Sequence, residues 1–208
     1  MIPRHQRILF IVLLVAALTM GGVLWHLRQR AHERLLAGED SAPTKAPLVA
    51  PNEQATLLIA NDADGSLLTQ QRSLPLPADP SARARVILGE LFDLYAQPNA
   101  AHPVAGGAAG IAQVFLMPSP TAKDSSDPDA QLAVVNLTGN FVASHPSGLE
   151  TETLTVLSIC GTLHANLPHI TEVRFLVDGA ERPNLAGHAD LTRTYLTADS
   201  ISAGGAAQ

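Results

Sequence analysis

With 208 residues, 46% apolar but only 4% aromatic, the chain has room for one domain plus flanking segments, and a core built mainly from Ala, Leu and Val. Its formal charge of -6, from 13 Lys and Arg against 19 Asp and Glu, comes without a basic stripe interleaved with aromatics, which excludes the electrostatic footprint of a nucleic-acid binder. A single cysteine, Cys160, can form neither an internal disulfide nor a cysteine-rich zinc site.

The first element is apolar. From Ile8 to Trp25 the chain reads ILFIVLLVAALTMGGVLW, without a charge, between Arg4 and Arg7 on one side and Arg28 and Arg30 on the other. A bilayer core takes roughly 20 apolar residues as a helix. The apolar part of a secretory signal is about 7–15 residues and ends in a small-residue cleavage site, and no such site follows Trp25. Residues 1–30 are therefore expected to be a single N-terminal transmembrane helix, with a cleaved signal peptide as the competing reading. The flanking positive charges nearly balance. The very short N-terminal tail favours an inside N-terminus and a soluble, extracytoplasmic domain on a single-pass cell-membrane protein. No cysteine follows the apolar run, so a lipid anchor is not expected. Residues 31–54 contain three prolines among small polar residues and read as a linker, with an extended reach of about 3.1 Å per residue.

The domain is expected over 55–196, with a disordered tail over 197–208. ATLLIAN, Ala55 to Asn61, reads as a strand, and DADGS as a hairpin turn, because Asp-Gly is a strong hairpin cue. A second strand, LLTQQRSLPL, is demoted at its end by Pro75 and Pro77. ADPSARARVILGELFDLYAQP then predicts a helix: Asp79 is a good N-cap, Pro80 suits the first turn, and Ala84, Ile87, Leu88 and Leu91 recur at helical spacing. Gly89 inside it costs on the order of 1 kcal/mol relative to Ala, which points to close packing on a neighbour. After a flexible loop, IAQVFLMP and QLAVVNLTG predict an antiparallel pair with a long tip. In the next segment Leu149, Thr153, Val156, Cys160, Leu163 and Leu167 fall on one helical face. Val173, Phe175 and Val177 then alternate as a strand, and a short last strand is expected within 192–196. The order implies an α+β fold, two helices packed on one face of a mixed, largely antiparallel sheet.

Several of these segments, in this order, resemble the GerMN domain, the module of GerM-type sporulation and spore-germination proteins and of LpqB-type lipoproteins. The resemblance is carried by ATLLIANDADGSLLTQQRSL, ARVILGELF, NLTGNF, HPSGLETETLTVLSICGTL and VRFLVDGAERPNLAGHADL, spanning roughly Ala55 to Tyr195. It implies an extracytoplasmic, membrane-tethered module, similar in fold to the ring-building modules of bacterial secretion systems, that acts by protein contacts in the cell envelope. It brings no catalytic residues. The chain departs from the lipoprotein members in lacking a lipid-bearing cysteine, and it contains one copy of the domain.

The remaining polar groups offer little for chemistry. Asp62, Asp64 and Gly65 resemble a fragment of a calcium loop, but the twelfth position, which such a loop fills with Glu, is Ser73. Cys160 and His164 are one helical turn apart, yet Cys160 lies on the apolar stripe, where a thiol is inert. His102, His145, His164, His169 and His188 lack metal-ligand spacing. The N-glycosylation pattern at Asn136 falls in a strand and turn. Ser144, Ser147 and Ser158, with His188 and Asp178 or Asp190, would be the parts of a hydrolase triad, but no G-x-S-x-G elbow is present. Glu150 and Glu152 could be a glycosidase pair, but they open a helix, where acids stabilise the macrodipole. His188 and Asp190 are expected to make cap or loop hydrogen bonds. The expectation is thus a non-enzymatic protein with no catalytic, cofactor-binding or metal residues, no cofactor and no evident small-molecule substrate. Its partners would be the membrane and an envelope protein or a second copy of itself. The alternative is a peptidoglycan hydrolase or a glycan-binding accessory module.

Overall fold

A computed structural model describes residues 50–122 and 127–198, with residues 6, 19–22 and 25. The chain divides into two units, 1–48 and 49–208, and the domain lies in the second. The expected transmembrane helix falls outside the described residues apart from isolated positions, as do most of the linker and of the tail. Among the described residues, no helix is long and apolar enough to cross a membrane.

Strands β1 (Asn52–Asn61) and β2 (Ser66–Pro75) pair antiparallel as a hairpin. At the turn Gly65 takes φ +68°, and its N–H donates to the Asn61 carbonyl. Pro51 accepts from the Leu76 N–H, which extends the pairing by one step beyond Pro75. The N-terminal end is also tied to the next helix by Glu53, whose carboxylate accepts two N–H groups of Arg83 at 2.8 and 2.9 Å. These contacts start β1 before the expected Ala55.

Helix α1 (Pro80–Tyr95) has the predicted punctuation, with the Asp79 carboxylate accepting the Ala82 N–H at 2.7 Å. Its core face is Ala84, Ile87, Leu88, Leu91, Phe92 and Tyr95. The close neighbour expected of Gly89 is Ala108: a Cβ at position 89 would lie 3.3 Å from the Ala108 methyl. The loop after α1 contains a 3-10 turn (Gly107–Gly110) that leads directly into β3 (Ile111–Pro118). β3 pairs antiparallel with β4 (Gln131–Leu137), as predicted. NLTGNF does not end as a simple turn. Thr138 accepts the Phe141 N–H and caps a short helix, α2 (Gly139–Ser144). Helix α3 (Leu149–Asn166) follows, then β5 (Ile170–Val177), which pairs parallel with β4. A helical crossover between the two is what a parallel pair requires. β6 (Tyr195–Leu196) closes the sheet against β5.

Two expectations are corrected. The strands form two sheets, β1-β2 and β3-β4-β5-β6, instead of one. The reason is visible along the spare edge of β1, where helix side chains stand in for a strand. The Thr56 N–H donates to Asn166 Oδ1 at 2.9 Å, the Leu58 N–H to Thr162 Oγ1 at 2.9 Å, and the Ala60 N–H to the Tyr95 phenol at 3.0 Å. Asn166 Nδ2 returns a bond to the Thr56 carbonyl at 2.7 Å. From Thr56 to Ala60, every second N–H of β1 is thus satisfied without a neighbouring strand.

The second correction concerns the buried face of α3. Leu149 is 67% exposed and Thr153 is exposed, whereas Glu152, Thr155, Ser158 and Thr162 are fully buried. α3 packs on both β1 and β5, so it has two buried sides. The apolar positions Val156, Ile159, Cys160 and Leu163 fill the core, while the polar steps Thr162 and Asn166 face the hairpin.

Candidate functional site

The closing stretch, Val173 to Leu191, begins as predicted: Val173, Phe175 and Val177 are buried in β5, and Asp178 and Gly179 reverse the chain with φ values of 49° and 79°. Asp178 holds the start of α2 by accepting the Gly139 N–H at 2.9 Å. Asn136 Oδ1 accepts the Gly179 N–H at 2.8 Å, so the amide at the glycosylation pattern is tied inside the fold. Beyond Pro183 the loop is pinned by Leu185 and Leu191, each 1% exposed.

The group that organises this loop is Glu152, one turn into α3. Its side chain is fully buried. Oε2 accepts the N–H groups of Ala186, His188 and Ala189 at 3.0, 2.8 and 2.8 Å. Oε1 lies 2.9 Å from His188 Nδ1 and accepts the Gly148 N–H at 3.2 Å. Burial pushes the Glu152 carboxyl up, but the His188 side chain and the three loop N–H groups outweigh it and hold the group at about 2. An acid expected to favour the helix dipole is thus the anchor of a loop more than 30 residues away. The neighbouring Glu150 does not join it: its carboxylate lies near Gly65 in the hairpin turn. The two acids thus reach different segments, Glu152 the closing loop and Glu150 the hairpin turn.

His188 is half-exposed, with its Nδ1 held by Glu152. It borders a groove with Leu149, Thr153, Leu157, Arg193 and Tyr195. Asp190 lines the same groove. It accepts the N–H and hydroxyl of its own neighbour Thr192 at 2.8 and 2.6 Å, and the Thr192 hydroxyl leads the groups that lower its pKa. Two of the three serines considered for a triad are occupied locally: Ser144 donates to the Asn140 carbonyl and Ser158 to that of Thr155, while Ser147 is exposed with its hydroxyl beside Gly187.

A second polar cluster was not legible in the sequence. His102, from the loop after α1, is fully buried between Asp62 of the hairpin turn, 2.6 Å from its Nδ1, and Thr155 of α3, 2.7 Å from its Nε2. His145 approaches the same Thr155 hydroxyl at 2.7 Å. Carboxylate, imidazole and hydroxyl are in series, as in a nucleophile triad, but Thr155 is 0% exposed and has no substrate-accessible side. Tyr95 packs edge-on to His102, and burial pushes its phenol up to about 12. The remaining candidates separate. Cys160 is buried in the core, His164 Nδ1 binds the Ile170 carbonyl at 2.9 Å, and His169 pairs with Asp127 at the surface. Among the described residues, no three His, Cys, Asp or Glu side chains converge as a metal site would require.

The exposed apolar groups follow a pattern of their own. On the side of the four-stranded sheet away from the core, cross-strand neighbours form two adjacent rows. One row is Met117, Leu132, Glu172 and Leu196; the other is Phe115, Val134 and Arg174. Phe115, Met117 and Leu196 are 46%, 44% and 50% exposed. Glu172 in the first row is buried and bonded to the hydroxyls of Ser119 and Thr121 at 2.5 and 3.0 Å, so the charge at the centre of the row is occupied. Arg174 is paired with Glu181.

The architecture and the closing loop lead to the comparisons. The sequence model of the family described as "Germane: Sporulation and spore germination" matches residues 56–183. The chain belongs to the Germane family. This agrees with the GerMN resemblance carried by its sequence. Among solved structures, the tandem GerMN domains of the sporulation protein GerM from Bacillus subtilis match at 17% identity and a TM-score of 0.42, over 71% of this chain and 47% of that one. The chain thus spans about half the length of that structure. The first GerMN domain of the same protein matches at 18% identity and a TM-score of 0.37, over 68% of this chain and 98% of that one. A search of curated proteins returns no match. The Germane match runs from β1 to Pro183 and so takes in both Glu152 and the His102 cluster, while the loop that Glu152 holds, 186–189, lies just beyond it.

Proposed function

We propose that this Germane protein is a membrane-anchored, extracytoplasmic module that works without catalysis, binding a protein partner in a bacterial cell envelope through the outer face of its four-stranded sheet. The anchor is the uncharged run Ile8 to Trp25, and the spacer the proline-containing segment after it. The observation that carries the proposal is the clustering of Phe115, Met117 and Leu196 on that one face, backed by Leu132 and Val134. Exposed apolar groups scattered singly need no explanation, but adjacent ones on a single face mark interaction sites. The family supports a setting in sporulation or germination. The absence of catalysis is supported by the polar clusters, whose groups are engaged in holding segments of the fold together.

The test is in-cell crosslinking of the full chain, followed by identification of what is captured, for the wild type and for a Phe115→Lys, Met117→Lys double variant. The proposal expects a defined adduct that the double variant loses while its fold is retained. An adduct unaffected by the double variant, or a chain that stays uncrosslinked and monomeric, contradicts it.

A further inference from the structure

A sheet edge is a row of unpaired N–H and C=O groups, which folded proteins ordinarily shorten, charge or cover. Among the described residues the two sheets have four edge strands, and three are managed in such ways. The edge of β1 is covered by Asn166, Thr162 and Tyr95. β6 is two residues long, and β2 presents a polar run, Thr69, Gln70, Gln71, Arg72 and Ser73. β3 ends the four-stranded sheet with eight residues, IAQVFLMP, and no charge among them. The register shifts between Ile111 and Gln113 at one end, and Pro118 at the other has no N–H. Between these limits lies an uncharged stretch, 113–117.

The pairing of β3 with β4 shows which backbone groups of that stretch face outward. The Ser119 N–H donates to the Ala130 carbonyl at 2.9 Å, so Ser119 is turned toward β4. Bonded pairs alternate along an antiparallel ladder, so Met117 and Phe115 are turned the same way and Val114 and Leu116 the opposite way. The N–H and C=O groups of Val114 and Leu116 therefore point off the edge. Beside them on the outer face stand Gln113, Phe115 and Met117, all exposed, and on the inner side Leu116 is only half-buried.

We propose that two copies of the chain join along this stretch, antiparallel about a two-fold axis at Phe115, so that their four-stranded sheets become one. This rests on the reading of the outer face as a contact surface and names a second copy as what covers it. The stretch is its own complement. In this register Val114 of each copy lies opposite Leu116 of the other, and the two pairs exchange four hydrogen bonds that use every outward N–H and C=O of both residues. Sliding by one bonded position brings Leu116 opposite Ala112 at the irregularity, or Val114 opposite Pro118, which has no N–H. Phe115 meets Phe115 in the closely spaced pair between the bonded ones, a favourable aromatic cross-strand contact, and Met117 meets Gln113. A second copy brings no like charge against the stretch, because the stretch carries none.

The test is disulfide trapping in cells expressing the full chain, by brief oxidation with copper–phenanthroline. A closely spaced pair sets its Cα atoms about 4.5 Å apart, within the roughly 4.4–6.8 Å that a disulfide spans. Phe115→Cys is expected to yield a linked species of twice the chain mass. Gln113→Cys combined with Met117→Cys keeps both Phe115 rings and is expected to do the same. Gln113→Cys alone is expected to stay monomeric, because its two copies are offset by four residues, roughly 13 Å along the strand. The wild type is the control, since its Cys160 is buried. Trapping by the double variant and not by Gln113→Cys alone supports the proposal. No trapping by either Phe115→Cys or the double variant, or equal trapping by Gln113→Cys alone, overturns it. If the double variant is not trapped while a different protein is still captured through Phe115 and Met117, the second copy is overturned and the outer-face reading stands. If nothing is captured at all, both fall.

Discussion

The two sheets of the Germane domain meet α3 in different chemical ways. The four-stranded sheet is held by ladders of backbone bonds and by an apolar face of Ala133, Val135, Val173 and Phe175. The hairpin has only one ladder. Its second edge is closed by Asn166, Thr162 and Tyr95, side chains that take the place of a third strand. A lone two-stranded hairpin is marginal in water, so the hairpin depends on a few polar contacts, whereas the larger sheet depends on many dispersed apolar ones. The difference is that between a structure that fails at single groups and one that degrades gradually.

The largest effect is expected where a buried charge serves several donors. Glu152→Ala leaves three loop N–H groups and His188 without their acceptor, and is expected to lower unfolding free energy by about 3–5 kcal/mol in urea denaturation. The same group fixes an acid limit. Its folded pKa is about 2 against an ordinary value of 4.5, so its contribution is fully present above about pH 4.5 and is lost as pH falls toward 2. Denaturation midpoints measured across that window should fall for the wild type and stay flatter for Glu152→Ala.

That acid also shows where sequence reading reaches its limit. Helix α1, its Asp79 cap, the hairpin turn and the inward alternation of β5 are local patterns, and each was legible. The separation of the sheets was not, because it depends on contacts such as Thr56 with Asn166, across 110 positions. A signal was nonetheless present: Thr155, Ser158, Thr162 and Asn166 step by 3, 4 and 4 along one helical face. The apolar stripe alone accounts for the helix, so this polar stripe goes unread without the folded structure. Glu152 and His102 carried no local signal, since their partners are supplied by loops that only the folded chain brings near.

Smaller effects test the hairpin itself. Asn166→Ala removes partners from both the N–H and the carbonyl of Thr56, and is expected to cost about 2–3 kcal/mol. Thr162→Val keeps the shape but strips the acceptor from the Leu58 N–H, and should cost about 1–2 kcal/mol. Hydrogen exchange should locate both losses in β1 and β2 before β4 and β5. Exchange that accelerates uniformly across both sheets would remove the contrast drawn between them. The smallest effect is expected on the outer face: Phe115→Lys should change stability by about 0.5 kcal/mol or less, because that ring is half-exposed.

This last variant separates fold from function, and the most direct measurement uses the same position. A photo-crosslinking residue placed at Phe115 in the full chain, with a matching one at the exposed Ser73 of β2, compares the two sheets in the cell. The account predicts a discrete protein adduct from position 115 and none from position 73. Adducts from position 73 alone, or from neither, would contradict the outer face of the four-stranded sheet as the contact surface.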